Sequence, residues 1–305
     1  MKAFDRLVVA SLPAVPRIVV RRIADRYIAG EGLNDAVKTV QDLNRRGAMA
    51  TVDVLGEFIR VPDEAEATAT EYEHALDAIA ALNLDANVSV KLSALGIEID
   101  RELADRTLGR VLQSAERHGV FVRIDMEDSG LTDQTLALYR DLRAAGHDGV
   151  GVVVQSYMRR SADDLAALAD LTPNVRLVKG IYIEPEEIAY QQMPEVNANY
   201  LRLLEQLFDQ GSYVGIATHD RALVDGALGL IERRGLARDR YEFQMLLGVA
   251  GEVGRRLIAD GHLLRVYVPY GQAWYAYSVR RLKENPSIAG YVARDVMRTL
   301  VPGLR

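Results

Sequence analysis

The stretch Val150–Tyr157 (VGVVVQSY) decides the fold. Its apolar residues run on almost without alternation, which suits a parallel strand buried on both faces. Seven further β-branched runs surround it: Ala48–Glu57, Asn87–Leu95, Val120–Asp128, Val175–Glu184, Ser212–Asp220, Tyr241–Gly248 and Leu263–Gly271. Their starts lie about 25–40 residues apart, the length of one βα unit. Amphipathic stretches with helical spacing fill the intervals, at 63–82, 101–118, 131–145, 161–171, 195–210, 221–234 and 249–260. Gly119, Gly146, Gly235 and Gly261 stand where helices stop, and Asp100 and Ser161 stand where two of them start. Eight such units with right-handed crossovers form a closed barrel or an open doubly wound sheet. The count of eight and the even spread favour an α/β (βα)8 barrel of the TIM type over residues 48–305, with residues 1–47 as a helical segment packed on it.

Composition narrows the function. The 305 residues carry 37 basic and 43 acidic side chains, for a net charge of −6, and no cysteine. The charge argues against a general nucleic-acid binder. The missing thiols exclude disulfides, thiolate catalysis, Cys-ligated zinc and iron–sulfur clusters. They fit a reducing, cytoplasmic setting. The most apolar stretch, Leu7–Val20, is broken by Pro13, Pro16 and Arg17. It reads as neither a spanning helix nor a secretory signal, but as a helix packed on the domain or an amphipathic segment at a membrane surface.

A barrel of this kind does its chemistry at the C-terminal ends of its strands. Those ends carry Lys91, Asp125–Met126–Glu127–Asp128, Gln155, Arg176, Lys179–Gly180, Thr218–His219–Asp220, Gln244 and Tyr267. Lys91, Asp125, Arg176 and Lys179 interrupt apolar runs, where a charge is costly unless paired. Each alone fits a structural ion pair between strands; all four at one end of one barrel point to a binding site. The segment Trp274–Glu284 adds Tyr275, Tyr277, Arg280, Arg281 and Glu284, with Tyr277 and Glu284 on the helical face of Arg280. Two adjacent guanidiniums suit a carboxylate, and three rings nearby weigh against a merely solvated basic patch. No G-x-G-x-x-G, P-loop or H-E-x-x-H motif is present, and no histidine has a partner at metal-ligand spacing, so no metal is expected. Gly248–Val249–Ala250–Gly251 reads as a tight turn or as a phosphate cradle at a helix start.

The segments KLSALG (91–96), RIDMED (123–128), VVVQSY (152–157), RLVKGIYIE (176–184), ATHD (217–220), YEFQMLLG (241–248), RVYVPYG (265–271) and YSVRRLKEN (277–285) together resemble the proline dehydrogenase family, in its short bacterial monofunctional form. The resemblance covers about residues 40–290 and every strand but the first. It implies a distorted (βα)8 barrel that binds FAD without a Rossmann fold, with a final helix carrying substrate residues. The implied reaction oxidises L-proline to Δ1-pyrroline-5-carboxylate by hydride transfer to flavin N5. Electrons then pass to a membrane quinone, in the first step of proline degradation to glutamate. The implied enzyme is cytoplasmic with peripheral contact at the inner face of the membrane, and no obligate protein partner. Lys91, Arg280 and Arg281 would hold the substrate carboxylate; Leu246, Tyr267 and Tyr277 would wall the substrate; Glu284 would pair with an arginine. Asp125 would pair with Lys91 or an arginine and order the site, as a catalytic residue alongside Arg176 near the flavin. Met126, Gln155, Arg176, Val178, Lys179, Gly180, Ile181, Thr218 and His219 would contact FAD. Where the family commonly reads K-G-A-Y-W, this chain has Lys179–Gly180–Ile181–Tyr182–Ile183, without the tryptophan.

Two other readings of the strand-end charges stand beside this one. A Schiff-base aldolase would use Lys91 or Lys179 as its nucleophile. A barrel that only binds an amino acid would be colourless.

Overall fold

The computed structural model describes residues 26–249, 251–275 and Ser278. Strands β1 (Met49–Val54), β2 (Ala86–Val90), β3 (Val122–Ile124), β4 (Val150–Gln155), β5 (Asn174–Val178), β6 (Tyr213–Ala217), β7 (Tyr241–Leu246) and β8 (Leu264–Tyr270) close into one barrel in chain order. Every pairing is parallel, including the one between β1 and β8 that seals it. Helix α1 (Leu33–Arg45) precedes the barrel and buries Ala36 and Val40. Helices α2 (Pro62–Ala81), α3 (Arg101–His118), α4 (Ser129–Ala144), α5 (Ser161–Ala167), α6 (Met193–Asp209), α7 (Arg221–Arg234) and α8 (Gly251–Ala259) fill the seven intervals between strands. No helix among the described residues is long and apolar enough to cross a membrane.

The strands are shorter than the apolar runs that announce them. The run from Asn87 leaves the sheet after Val90, and Leu92–Leu95 forms a short 3-10 turn closed by Gly96 at φ +95°. The run from Val120 keeps only three residues in the ladder. Past the ladder the Asp125 amide still donates to the Val90 carbonyl at 2.8 Å, and the tails of these runs then turn over the barrel mouth. Three of the helix starts follow an aspartate. Asp100, Asp128 and Asp220 accept from the backbone amides of Leu103 (3.2 Å), Gly130 (3.1 Å) and Ala222 (3.0 Å). Ser161 does not cap. It lies inside α5, with Arg160 in the cap position, and its hydroxyl donates to the Gln155 carbonyl at 2.6 Å, tying α5 to the end of β4.

Period-two alternation sorts the strand side chains. Val52, Val88, Ile124, Val152, Leu177 and Ile216 lie in the apolar core. Most of the alternate positions carry polar side chains into the lumen. Thr51 donates to Asn87 Oδ1 at 2.6 Å; Arg265 pairs with Glu242 at 2.7 Å; the Tyr213 hydroxyl donates to Glu242 at 3.0 Å. Arg123, 1% exposed, reaches from β3 across β4 to donate to the carbonyls of Val152 (3.0 Å) and Asn174 (2.6 Å) and to Asn174 Oδ1 (2.5 Å).

That reach exists because Gly151, the register partner of Arg123 on β4, has no side chain. A Cβ there would collide with Arg123 Nη1 and come within 2.6 Å of both the Asn174 carbonyl and the Phe121 ring. The Asn174 carbonyl belongs to the backbone and cannot swing away, and Arg123 is locked by its hydrogen bonds, so Gly151→Ala is expected to destabilise the barrel by about 3 kcal/mol and lower the melting temperature by roughly 6 °C or more. An unchanged thermal melt, followed by circular dichroism, would refute the account of Arg123 as fitted against bare backbone.

Candidate functional site

Three of the four strand-end charges converge. Asp125 follows β3, and its Oδ1 accepts from Arg176 Nη1 at 2.7 Å and from Ser89 Oγ at 2.6 Å. Its Oδ2 accepts from the Tyr267 hydroxyl at 2.9 Å and lies 3.7 Å from Lys91 Nζ. Arg176 projects from within β5, two residues before its end, and its guanidinium carbon sits 5.3 Å from the centre of the Tyr267 ring. Its Nη1 also reaches Ser89 Oγ at 3.1 Å, and its Nε donates to Gln244 Oε1 at 2.6 Å. Lys91 donates to Asp53 Oδ1 at 2.8 Å and to the Tyr267 hydroxyl at 3.3 Å, with Glu57 Oε1 at 3.9 Å. The fourth charge stands apart: Lys179 pairs with Asp220 at 2.7 Å, and Asn197 holds the same carboxylate oxygen at 3.2 Å.

The charges set one another's protonation. Burial acts to strip the proton from Lys91, but Asp53, Asp125 and Glu57 outweigh it and hold the ammonium pKa well above its usual value. A Schiff-base lysine needs the opposite shift, so Lys91 does not fit the aldolase reading. Burial likewise opposes ionisation of Asp125; Arg176, Lys91 and the hydrogen bonds from Ser89 and Tyr267 overcome it and hold the carboxyl below its usual range. Asp53 is driven the other way, chiefly by complete burial, and its Oδ2 has no hydrogen-bond partner among the described residues.

The ends of β4, β5 and β6 form an adjoining arc. Gln155 is buried, and its amide donates to the Glu127 carbonyl at 2.9 Å. Thr218 is buried and accepts from the Asp220 amide at 3.2 Å. His219 Nε2 accepts from the Leu246 amide at 2.8 Å, which fixes the imidazole tautomer and joins the loops after β6 and β7. Val178 ends β5 half-buried, Met126 is buried, and Ile181 is exposed. Gly180 adopts φ +106° with the Tyr157 ring where a side chain would go, so this turn requires glycine. Tyr277, Arg280, Arg281 and Glu284 lie outside the described residues. Among the described residues no three His, Asp or Glu side chains are grouped to hold a metal.

Sequence reasoning did not place Asp53 or Ser89 at the site, and it noted Glu127 only as part of the Asp125–Asp128 strand end, without a role. Asp53 was visible as a charge inside the first run (AMATVDVLGE), which otherwise carries only Glu57 at its end, but that run lies outside the quoted family motifs. Glu127 ties three loops together: Ser93 donates to it through its amide at 2.9 Å and through its hydroxyl, and Phe58 donates its amide to Ser93 Oγ at 3.2 Å. A cavity of about 510 Å³ opens at the other end of the barrel, lined by Arg123, Asn174, Glu242 and Arg265. None of the Asp125 cluster borders it.

The family model described as proline dehydrogenase matches residues 36–294. A proline dehydrogenase of Deinococcus radiodurans is 38% identical over 299 residues, covering 96% of each chain. Proline dehydrogenase 2 of Bacillus subtilis is 38% identical over 278 residues, covering 91% of each. Among solved structures, proline utilization A of Bdellovibrio bacteriovorus inactivated by N-propargylglycine superposes with a TM-score of 0.80 at 25% identity, over 87% of this chain and 33% of that one.

The Glu127 carboxyl, 1% exposed, yields a test of the site's electrostatics. Burial raises its pKa from 4.5 to about 7, against the pull of the Ser93 hydrogen bonds and the Lys91 charge. The folded state therefore binds this proton more tightly than the unfolded chain. The benefit is full below pH 4.5 and disappears as pH rises through about 7. Relative to wild type, Glu127→Gln is expected to gain roughly 3 kcal/mol of stability between pH 4.5 and 8. Parallel denaturation curves for the two proteins across that range would show that Glu127 does not carry this burden.

Proposed function

The chain belongs to the proline dehydrogenase family, and on that premise we propose that it oxidises L-proline to Δ1-pyrroline-5-carboxylate with FAD as cofactor and a membrane quinone as electron acceptor. This would be the first step of proline degradation to glutamate, carried out by a cytoplasmic enzyme with peripheral membrane contact. The observation that carries the reading is the shared grip on Asp125 by Arg176, Ser89 and Tyr267, with the Lys91 ammonium alongside, at the mouth of a parallel barrel.

The residues present suit FAD. The arc over β4–β6 combines an amide (Gln155), a cation (Lys179), a hydroxyl (Thr218) and an imidazole (His219), with no side chain on Gly180. Such donors match the phosphates and ring heteroatoms of a dinucleotide. Met126, Val178 and Ile181 would complete the contact, with Arg176 nearest the reactive ring. When bound, FAD supplies the hydride acceptor that no side chain can provide. The chain's own residues do the rest. Lys91, Arg280 and Arg281 fix the substrate carboxylate, and Leu246, Tyr267 and Tyr277 confine the ring and keep water out. Glu284 steadies one of the two arginines. Asp125 is already committed to Arg176 and Tyr267, so the substrate amine arrives neutral in this reading.

The first test is spectroscopic: the purified protein should be yellow and bleach when L-proline is added anaerobically. A folded protein that takes up no flavin from excess FAD would end the proposal. Arg280→Ala and Arg281→Ala should each raise the proline KM roughly 30-fold or more, from loss of a charge-assisted contact worth about 2–4 kcal/mol, with the flavin spectrum unchanged. Proline affinity within about twofold of wild type in both variants would remove the clamp assignment. Arg176→Ala should lower the flavin midpoint potential, because a cation beside the ring favours its anionic reduced form. A redox titration without a shift would strip Arg176 of that role.

A further inference from the structure

Arg176 is fixed from behind as well as from in front. Asp125 and Ser89 hold Nη1, the Tyr267 ring lies against the guanidinium, and Nε donates to Gln244 Oε1 at 2.6 Å. The Gln244 amide has one workable orientation. A guanidinium only donates, so Oε1 must face Arg176. On the other side Nε2 donates to Glu242 Oε1 at 2.5 Å, and that carboxylate, also held by Arg265 at 2.7 Å and Tyr213 at 3.0 Å, only accepts. Glu242 remains ionised, because Arg265 and these hydrogen bonds outweigh its burial.

The passage between the two side chains is set by one residue. Gly215 on β6 is the register partner of both Arg176 on β5 and Glu242 on β7. A Cβ there would collide with Gln244 Nε2 and stand 2.8 Å from its Cδ. Gly215 has no positive φ to account for it, so close approach of the Gln244 amide is what its missing side chain permits.

We propose that Gln244 is a positioning residue for Arg176. Anchored by Glu242 across the space above Gly215, it fixes the plane in which the guanidinium meets its ligand at the barrel mouth. The functional consequence rests on the FAD-dependent reading above; the positioning itself does not.

The test uses Gln244→Leu and Gly215→Ala. The second introduces no polar change; it displaces only the flexible end of Gln244, so it should fold. In protein labelled with 15N-arginine, the Arg176 Nε–H signal, assigned by its absence in Arg176→Ala, should exchange with solvent about tenfold faster or more in both variants than in wild type. In the flavin-loaded enzyme both variants should shift the midpoint potential in the direction of Arg176→Ala and lower kcat about tenfold, with the proline KM little changed. Adding Gln244→Leu to Arg176→Ala should change nothing further. Unaltered Nε–H exchange in both variants, or additive effects in the double variant, would overturn the proposal. A wild-type protein that binds no flavin would defeat the functional reading, while the exchange measurement would still decide the role of Gln244.

Discussion

The candidate site depends on the sharing of one carboxylate. Asp125 receives three hydrogen bonds and has an ammonium within 4 Å, from β2, β5 and β8 in addition to its own position after β3. An isolated carboxylate at this depth would protonate, and an isolated guanidinium beside it would be prohibitively desolvated. Together they keep their charges and their geometry, and Tyr267 is drawn in through its hydroxyl. Lys91 joins the cluster through Tyr267 and Asp125, and brings Asp53 with it. The cluster therefore behaves as one electrostatic unit spanning the barrel, and removing a charged member leaves its buried partners less compensated.

The same logic governs the rest of the lumen. Many TIM-type barrels fill their interior with layers of branched apolar side chains. Here the interior holds Arg123, Arg176, Glu242 and Arg265, each paired or bonded to backbone. Long side chains of this kind need room, and Gly151 and Gly215 supply it beside Arg123 and Gln244. Glycine in a strand interior weakens the strand, so its presence at both places marks where the lumen has been opened for a neighbour's polar side chain. The apolar stabilisation comes from the opposite strand faces against the helices, where Val88, Val152 and Ile216 are fully buried.

This division explains what was legible in the sequence. The eight runs and the intervals between them were readable because the outward faces and the helices follow simple periods; α3 and α7 match their expected limits to the residue. Strand ends were not readable, because a run such as NVSVKLSAL stays apolar after it leaves the ladder and becomes a buried 3-10 turn. Ser161 shows the limit of local signals: a residue type that favours caps was engaged instead by the Gln155 carbonyl, a tertiary partner. Lys91, Asp125 and Arg176 stood out as charges in apolar surroundings. Lys179 stood out in the same way, and only the three-dimensional arrangement separates it, with Asp220, from the other three. Neutral residues such as Ser89 and Gln244 carried no such mark, since a serine or glutamine in a strand reveals its role only through what it touches.

The arrangement also separates two tasks along one axis. At the mouth, charges are mutually neutralised and fixed before any ligand arrives, so binding need not reorganise them, which is the condition for strong electrostatic action on a reacting group. At the opposite end, Arg123, Glu242 and Arg265 line a cavity, where ion pairing between Glu242 and Arg265 and backbone carbonyls around Arg123 offset the cost of burying them. Between the two, Gln244 is the single hydrogen-bonded step from Glu242 to Arg176. Gln244 is neutral, so it transmits orientation without adding charge. An acid in its place would bring a second carboxylate against Glu242, and a lysine would set like charge against Arg176. An amide, with a donor on one side and an acceptor on the other, joins a carboxylate to a guanidinium without disturbing the balance of either.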